Sequence, residues 1–257
     1  MKNESSDPVV SSIVFQFLLG CMTLLYGLTR GVHLPPVFLI PYFLISGILY
    51  ATGTIAFFRA YKEIEASEVM VLTGVGPISA IVGAYIFLHN RFSASQFFGV
   101  FLIISAVIVI TKTTSAFRLN TGAWLAILGA SCYGLANVCD AYIIRFYDAV
   151  SYLALICFLP GILILLRYIH KTPKIIRAMR HIDRNLIIFT ALYAVQAIAF
   201  YIALSVGALV AQLNTISRAS IVLTVILATL FLKERDRIPQ KITAALITTI
   251  GVLLVSR

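Results

Sequence analysis

The sequence predicts an all-α polytopic membrane protein made of two inverted repeats of a five-helix unit, with the first helix of repeat one absent. Three observations predict it. Of the 257 residues, 60% are hydrophobic and only 12% charged, too few polar groups to cover a soluble domain of this size. Nine apolar runs of 17–24 residues follow one another along the chain, each long enough to cross a hydrocarbon core. No ten-residue alternation of the kind that marks a barrel strand appears, and in lipid an open chain satisfies its backbone only as helix.

The runs fall at about 9–28, 37–58, 68–88, 94–111, 122–144, 149–168, 185–205, 209–232 and 239–255. The leader MKNESSDP is too polar and acidic for a signal peptide, and no small-residue cleavage site follows, so the first run stays as an anchor. Span three opens on Leu72-Thr73-Gly74-Val75-Gly76-Pro77. There a proline removes a helix hydrogen bond and two glycines allow close approach, which gives Gly74, Gly76 and Pro77 a kinking or gating role. Glu63, Glu65 and Glu68, with Arg59 and Lys62, flank the preceding turn and read as a solvated charge cluster at headgroup level. The longest connection, RYIHKTPKIIRAMRHIDR, interleaves Ile175, Ile176, Met179 and Ile182 with Lys174, Arg177 and Arg180. That pattern predicts a short helix lying on anionic headgroups.

Internal similarity sets the architecture. Leu49-Tyr50-Ala51, Ile55-Ala56-Phe57 and Ala60 recur as Leu192-Tyr193-Ala194, Ile198-Ala199-Phe200 and Ala203, an offset of 143 residues. After a one-residue insertion Leu88 pairs with Leu232 and Gln96 with Gln240, and upstream Asp7-Pro8-Val9 resembles Asp148-Ala149-Val150. The offset covers five spans, an odd number, so equivalent helices cross in opposite directions. The repeats divide the chain as 1–113 and 114–257. Span 122–144 has no counterpart before Asp7, so either the protein has nine helices or a tenth lies upstream.

This two-fold pattern resembles the EamA-like branch of the drug/metabolite transporter superfamily. The matching residues are Leu72 to Pro77, Phe231-Leu232-Lys233-Glu234-Arg235 closing span eight, Gln96 and Gly99 in span four, and Gly251 near the end. Asn90 departs from the family's usual glutamate, and Arg218 stands near a usual proline. The resemblance implies a secondary transporter working by alternating access.

Lysine and arginine assign the orientation. Fifteen lie at the ends of spans on one side, including the whole 167–184 loop, and only Arg30, Arg91, Arg145 and Arg257 on the other. The positive-inside rule then places the N-terminus and that loop in the cytoplasm, in a multi-pass protein of the plasma (inner) membrane, with the C-terminus outside. The basic excess is thereby accounted for by orientation and lipid contact, with no role for nucleic acid.

Candidate chemistry lies in polar positions at helical spacing. Tyr133, Asn137 and Asp140 share a face of span five, Tyr193 and Gln196 one of span seven, and Asn214 and Arg218 one of span eight. In the first half Ser46, Tyr50 and Thr54 line span two, and Gln16 sits in span one. Such residues are expensive against lipid and should converge inside the bundle. Arg218 lies roughly 14 Å deep and needs a partner, for which Asp140 is the one acidic residue well inside a span. The pair either holds two helices together, or Arg218 receives a carboxylate or phosphate of the substrate while Asp140 couples transport to protons.

No protease, hydrolase or phosphate-loop motif is present, so neither an enzyme nor ATP-driven transport is expected, and no cofactor or metal. Cys21, Cys132, Cys139 and Cys157 read as reduced packing residues. The expected function is transport of a small organic metabolite, an amino acid or another polar or anionic solute. The alternative is a non-transporting scaffold or accessory subunit. The oligomeric state stays open.

Overall fold

A computed structural model describes residues 7–88, 93–111, 120–205, 210–231 and 237–255; side chains at 84, 87–88, 111, 204–205 and 210–220 are not among those described. The described residues form helices and turns, with no strand among them. In order the helices are α1 (Pro8–Leu28), α2 (Ile40–Glu63), α3 (Ala66–Leu72), α4 (Val75–Leu88), α5 (Ala94–Thr111), α6 (Thr121–Ile143), α7 (Ala149–Ile156), α8 (Leu159–Arg167), α9 (Thr172–Arg180), α10 (Arg184–Ser205), α11 (Val210–Phe231) and α12 (Ile238–Val255). Among the described residues, seven helical stretches are long and apolar enough to cross a membrane. The other two predicted spans correspond to α5 and α11, which are apolar over the residues whose side chains are described, Ala94–Ile110 and Ile221–Phe231.

Local chemistry accounts for most helix ends. Asp7 caps α1, its carboxylate accepting from the Val9 amide at 3.0 Å, and Pro8 takes the first turn, where no donor is needed. Asn120 caps α6 through the Ala123 amide at 2.8 Å, and Asp148 caps α7 through that of Ser151 at 2.8 Å. Span three breaks between α3 and α4. Pro77 has no N–H to offer the Thr73 carbonyl, which takes the Gly76 N–H instead at 3.0 Å. Span six breaks in the same way ahead of Pro160, with the Phe158 amide turned back to the Leu155 carbonyl at 3.2 Å. That second break was not among the sequence expectations.

The helices gather into two compact units. One is built from the described residues within 3–58 and 139–209, the other from those within 59–138 and 210–257. Neither unit is a sequence repeat, since each takes helices from both halves. In the first unit α1 packs against α7, α8, α9 and α10. Its interior is made by Phe15, Leu19, Phe43, Tyr152 and Leu153 around one centre, and by Val9, Ile13, Val14, Ile164 and Ile175 around another. Ile175 thus seats the amphipathic α9 on the unit, while Ile176 and Met179 remain exposed beside its basic residues.

In the second unit the closest pairing is α5 with α12, equivalent helices of the two repeats. Gln96 donates from Nε2 to the Val255 carbonyl at 3.4 Å, and Gln240 likewise donates to the Val109 carbonyl. The two glutamines aligned by the repeat therefore make matching bonds, each to the far end of the other's helix. Between them Gly99 and Gly251 let the backbones meet.

The acidic turn before α3 differs from its expected reading as a solvated cluster. Glu68 holds Arg237 at 2.7 Å, and Glu65 pairs with the Lys241 ammonium, which is wholly buried. These two pairs join the start of α3 to the start of α12. In sequence Lys241 counts among the charges at span ends, being the third residue of the run 239–255, and only the packing shows that it is covered.

A third ion pair, Lys171 Nζ to Asp7 at 2.6 Å, ties the chain ahead of α9 to the start of α1. Partial burial pushes the Asp7 carboxyl up. Hydrogen bonds from Lys171 and the Val9 amide and the charges of Lys171 and Lys174 outweigh that, so it titrates below the ordinary carboxylate value. With the folded value depressed, Asp7's contribution is present above the unfolded value and lost as pH falls through the folded one. Asp7→Asn keeps a cap acceptor but removes the charge. It should flatten the acid limb of a Tm-against-pH curve below about pH 4, with a loss of no more than about 1 kcal/mol at neutral pH. Asp7→Ala removes the cap as well and should cost about 1 kcal/mol more. An unchanged acid limb in Asp7→Asn would show that the pair contributes nothing.

Candidate functional site

The first unit holds a buried carboxylate. Asp140 lies in the last turn of α6, 5% exposed, and three hydroxyls converge on it. On its Oδ1 side, Ser46 Oγ donates at 2.7 Å and the Tyr152 hydroxyl donates as well; Tyr50 donates to Oδ2 at 2.5 Å. Ser46 and Tyr50 are one turn apart on α2, so a single face of that helix delivers both. Tyr152 comes from the first turn of α7, just beyond the short connection that leaves α6. The site therefore joins three helices, one turn inside the end at which α6 stops and α7 begins.

Packing fixes these donors. The Tyr152 ring is fully buried, edge-on to Phe43 at 5.0 Å between centroids and beside Tyr201 of α10 at 6.0 Å. One turn further along α2, Thr54 accepts from Gln16 Nε2 of α1 at 2.8 Å. The stripe Ser46, Tyr50 and Thr54 is thus wholly committed to polar contacts across helices. Among the described residues, all the donors to Asp140 are neutral hydroxyls and no ion pair to it occurs. Ser46 Oγ also lies 3.4 Å from the Tyr152 hydroxyl, near enough for a turned hydrogen to serve either oxygen.

The other candidate residues are distributed differently. Tyr193 packs its ring against Phe15 at 5.5 Å and Phe189 at 6.3 Å, inside the apolar centre. Gln196, one turn on, is exposed. Tyr133 and Asn137 belong to the second unit; Tyr133 is half-buried and Asn137 exposed, whereas Asp140 on the same helix is enclosed. The side chains of Asn214 and Arg218 lie outside the described residues, and with them the expected Arg218–Asp140 pair. Gly74 and Gly76 sit at the α3–α4 break with Pro77, Gly74 against Thr248 of α12 and the Gly76 carbonyl against Gly134 of α6.

Sequence reasoning passed over Ser46 and Tyr152 as ligands of the carboxylate. Ser46 was visible as one step of the α2 stripe, but a serine in a membrane helix usually bonds its own backbone, which lowers its weight. Tyr152 carries no periodic signal. Its partner becomes evident only when α7 folds back beside α6.

A helical bundle of membrane-spanning length, duplicated in sequence and holding a polar cluster between its helices, is the architecture of a polytopic carrier-type membrane protein. A family model described as the EamA-like transporter family matches residues 3–112 and again 120–257, and the chain belongs to that family. One solved crystal structure superposes with a TM-score of 0.65 over 99% of this chain and 90% of the other at 15% identity, a likeness of fold. No curated protein matched the chain significantly.

Proposed function

We propose that this chain is a secondary carrier which moves a small polar organic solute, an amino acid or another polar or anionic metabolite, by alternating access. The observation that carries the reading is the enclosed Asp140, held by hydroxyls from α2 and α7 within a protein of a transporter family. Helix packing alone seldom requires a carboxylate inside a membrane bundle, and such residues line substrate and ion paths. Tyr50 brings the α2 stripe to that carboxylate. Gln196, exposed on α10, would offer its amide to the solute. Arg218 would supply the cation for an anionic group on the solute, and the α3–α4 break at Gly74 to Pro77 a hinge. The protein would sit in the plasma (inner) membrane with α9 on its cytoplasmic face.

Flux in proteoliposomes tests this. Against a panel of radiolabelled amino acids and organic acids, the wild-type chain should move at least one solute class faster than empty vesicles. Asp140→Asn and Tyr50→Phe should each reduce that flux about tenfold or more, the size of one lost charge-assisted hydrogen bond. A correctly inserted protein that moves none of the panel would favour a scaffold or accessory role.

A further inference from the structure

We propose that Asp140 is a reversible proton-binding site whose occupancy loosens the tie between α6 and helices α2 and α7, and that the proton is the coupling ion of transport. The role in coupling rests on the transport reading above; proton binding itself does not.

The choice of partners carries the inference. The chain builds two buried polar centres in different ways. In the second unit the buried Lys241 ammonium is matched by the Glu65 carboxylate, a fixed pair of opposite charges. In the first unit the carboxylate of Asp140 is matched by Ser46, Tyr50 and Tyr152. Amide N–H groups or a guanidinium can only donate, and hold a carboxylate in its ionised form. A hydroxyl both donates and accepts, so the same three groups can satisfy either protonation state. A ring of hydroxyls is therefore suited to a carboxyl that gains and loses a proton.

Proton binding has a geometric consequence. With the carboxylate ionised, Oδ1 and Oδ2 share three donated bonds. The two oxygens offer about four acceptor positions and three are taken, so a proton from water onto a position that a hydroxyl holds turns an acceptor into a donor there, and that hydroxyl must reverse or leave. Ser46 and Tyr152, 3.4 Å apart, can then bond to each other, which removes polar bonds that α2 and α7 make to α6 and leaves the apolar contacts, such as the Tyr42–Tyr142 ring pair, in place. Among the described residues, the other titratable side chains near the carboxylate are Tyr201 of α10, Cys157 at the end of α7 and Cys139 beside it on α6. None of them supplies a positive charge that would keep Asp140 ionised.

Infrared difference titration of the full chain in lipid nanodiscs reads proton binding without any solute. A protonated-carboxyl band should grow on acidification and be absent in Asp140→Asn. In Tyr50→Phe and Tyr152→Phe, which keep the carboxyl, its midpoint should move up by about one pH unit, because each variant removes a donor to the ionised form. A band that survives in Asp140→Asn, or midpoints unmoved in both phenylalanine variants, would overturn the proposal. In proteoliposomes an inward pH gradient should accelerate solute flux in wild type and not in Asp140→Asn. Flux without a titrating Asp140 band would remove the proton site and leave transport standing. A titrating band in a chain that moves no solute would do the reverse.

Discussion

Replacing Glu65 by glutamine should destabilise the protein by about 3–5 kcal/mol, because it leaves a buried ammonium without a counter-charge. Lys241 is 0% exposed, whereas the Glu65 side chain keeps 24% of its surface. The two halves of the pair are therefore unequal. Lys241→Met leaves a carboxylate that can still reach water, and should cost only about 1–2 kcal/mol. A Glu65→Leu, Lys241→Met double variant should recover most of the loss, since an apolar pair of similar volume avoids the desolvation altogether. Unfolding in mixed detergent micelles, run as a double-mutant cycle, measures these values. Equal and additive single losses would show that the two charges do not interact. The Glu68–Arg237 pair beside them is more exposed and should contribute under about 1 kcal/mol.

The second large effect is expected where α5 crosses α12. A Cβ placed on Gly99 would lie 2.6 Å from the Gly251 carbonyl oxygen and 2.9 Å from the Val255 nitrogen. One on Gly251 would lie 2.8 Å from Ile103 Cγ1 and 2.9 Å from the Gly99 oxygen. Backbone atoms cannot step aside as a flexible side chain does, so the helices must separate. Gly251→Ala should cost about 1–3 kcal/mol by overpacking, and Gly251→Leu at least about 3. Separation would also stretch the bonds from Gln96 and Gln240, each worth about 0.6–1.7 kcal/mol in a membrane interior. Gly31 is the control. It has φ +83 but nothing within 4 Å, so Gly31→Ala should cost only the roughly 1–2 kcal/mol of left-handed backbone. A Gly251→Leu loss no larger than that of Gly31→Ala would mean that the crossing is looser than its geometry indicates.

Some of this was legible in the chain itself. The apolar runs announce spanning helices because lipid leaves the backbone no other way to satisfy its hydrogen bonds. Pro77 with Gly74 and Gly76 announces the α3–α4 break, since a missing donor four residues after Thr73 is a local fact. The alternation of isoleucines with basic residues over 174–182 announces α9. The pairing of Gln96 with Gln240 along the sequence anticipates that they occupy equivalent places, though not that each bonds to the other's helix. The Pro160 break went unread because Val150 to Leu166 is otherwise continuous in hydropathy.

The carboxylate with which the polar stripes were compared behaves differently. From sequence, Asp140 is a lone acid with Arg218 as its one evident intramembrane partner, and Ser46 and Tyr152 are two hydroxyls among many. They meet because α2 presents Ser46 and Tyr50 one turn apart and because α7 doubles back beside α6, contacts separated by up to 94 residues along the chain. Lys241 shows the same limit in the other unit: its burial is decided by α3, 176 residues away. The sequence by itself determined that this is a duplicated helical membrane protein, since hydropathy, helix breakers and repeats are properties of neighbouring residues. Only the tertiary structure decided which charge is met by a charge and which by hydroxyls, because a polar group's partner is set by whatever helix packs against it.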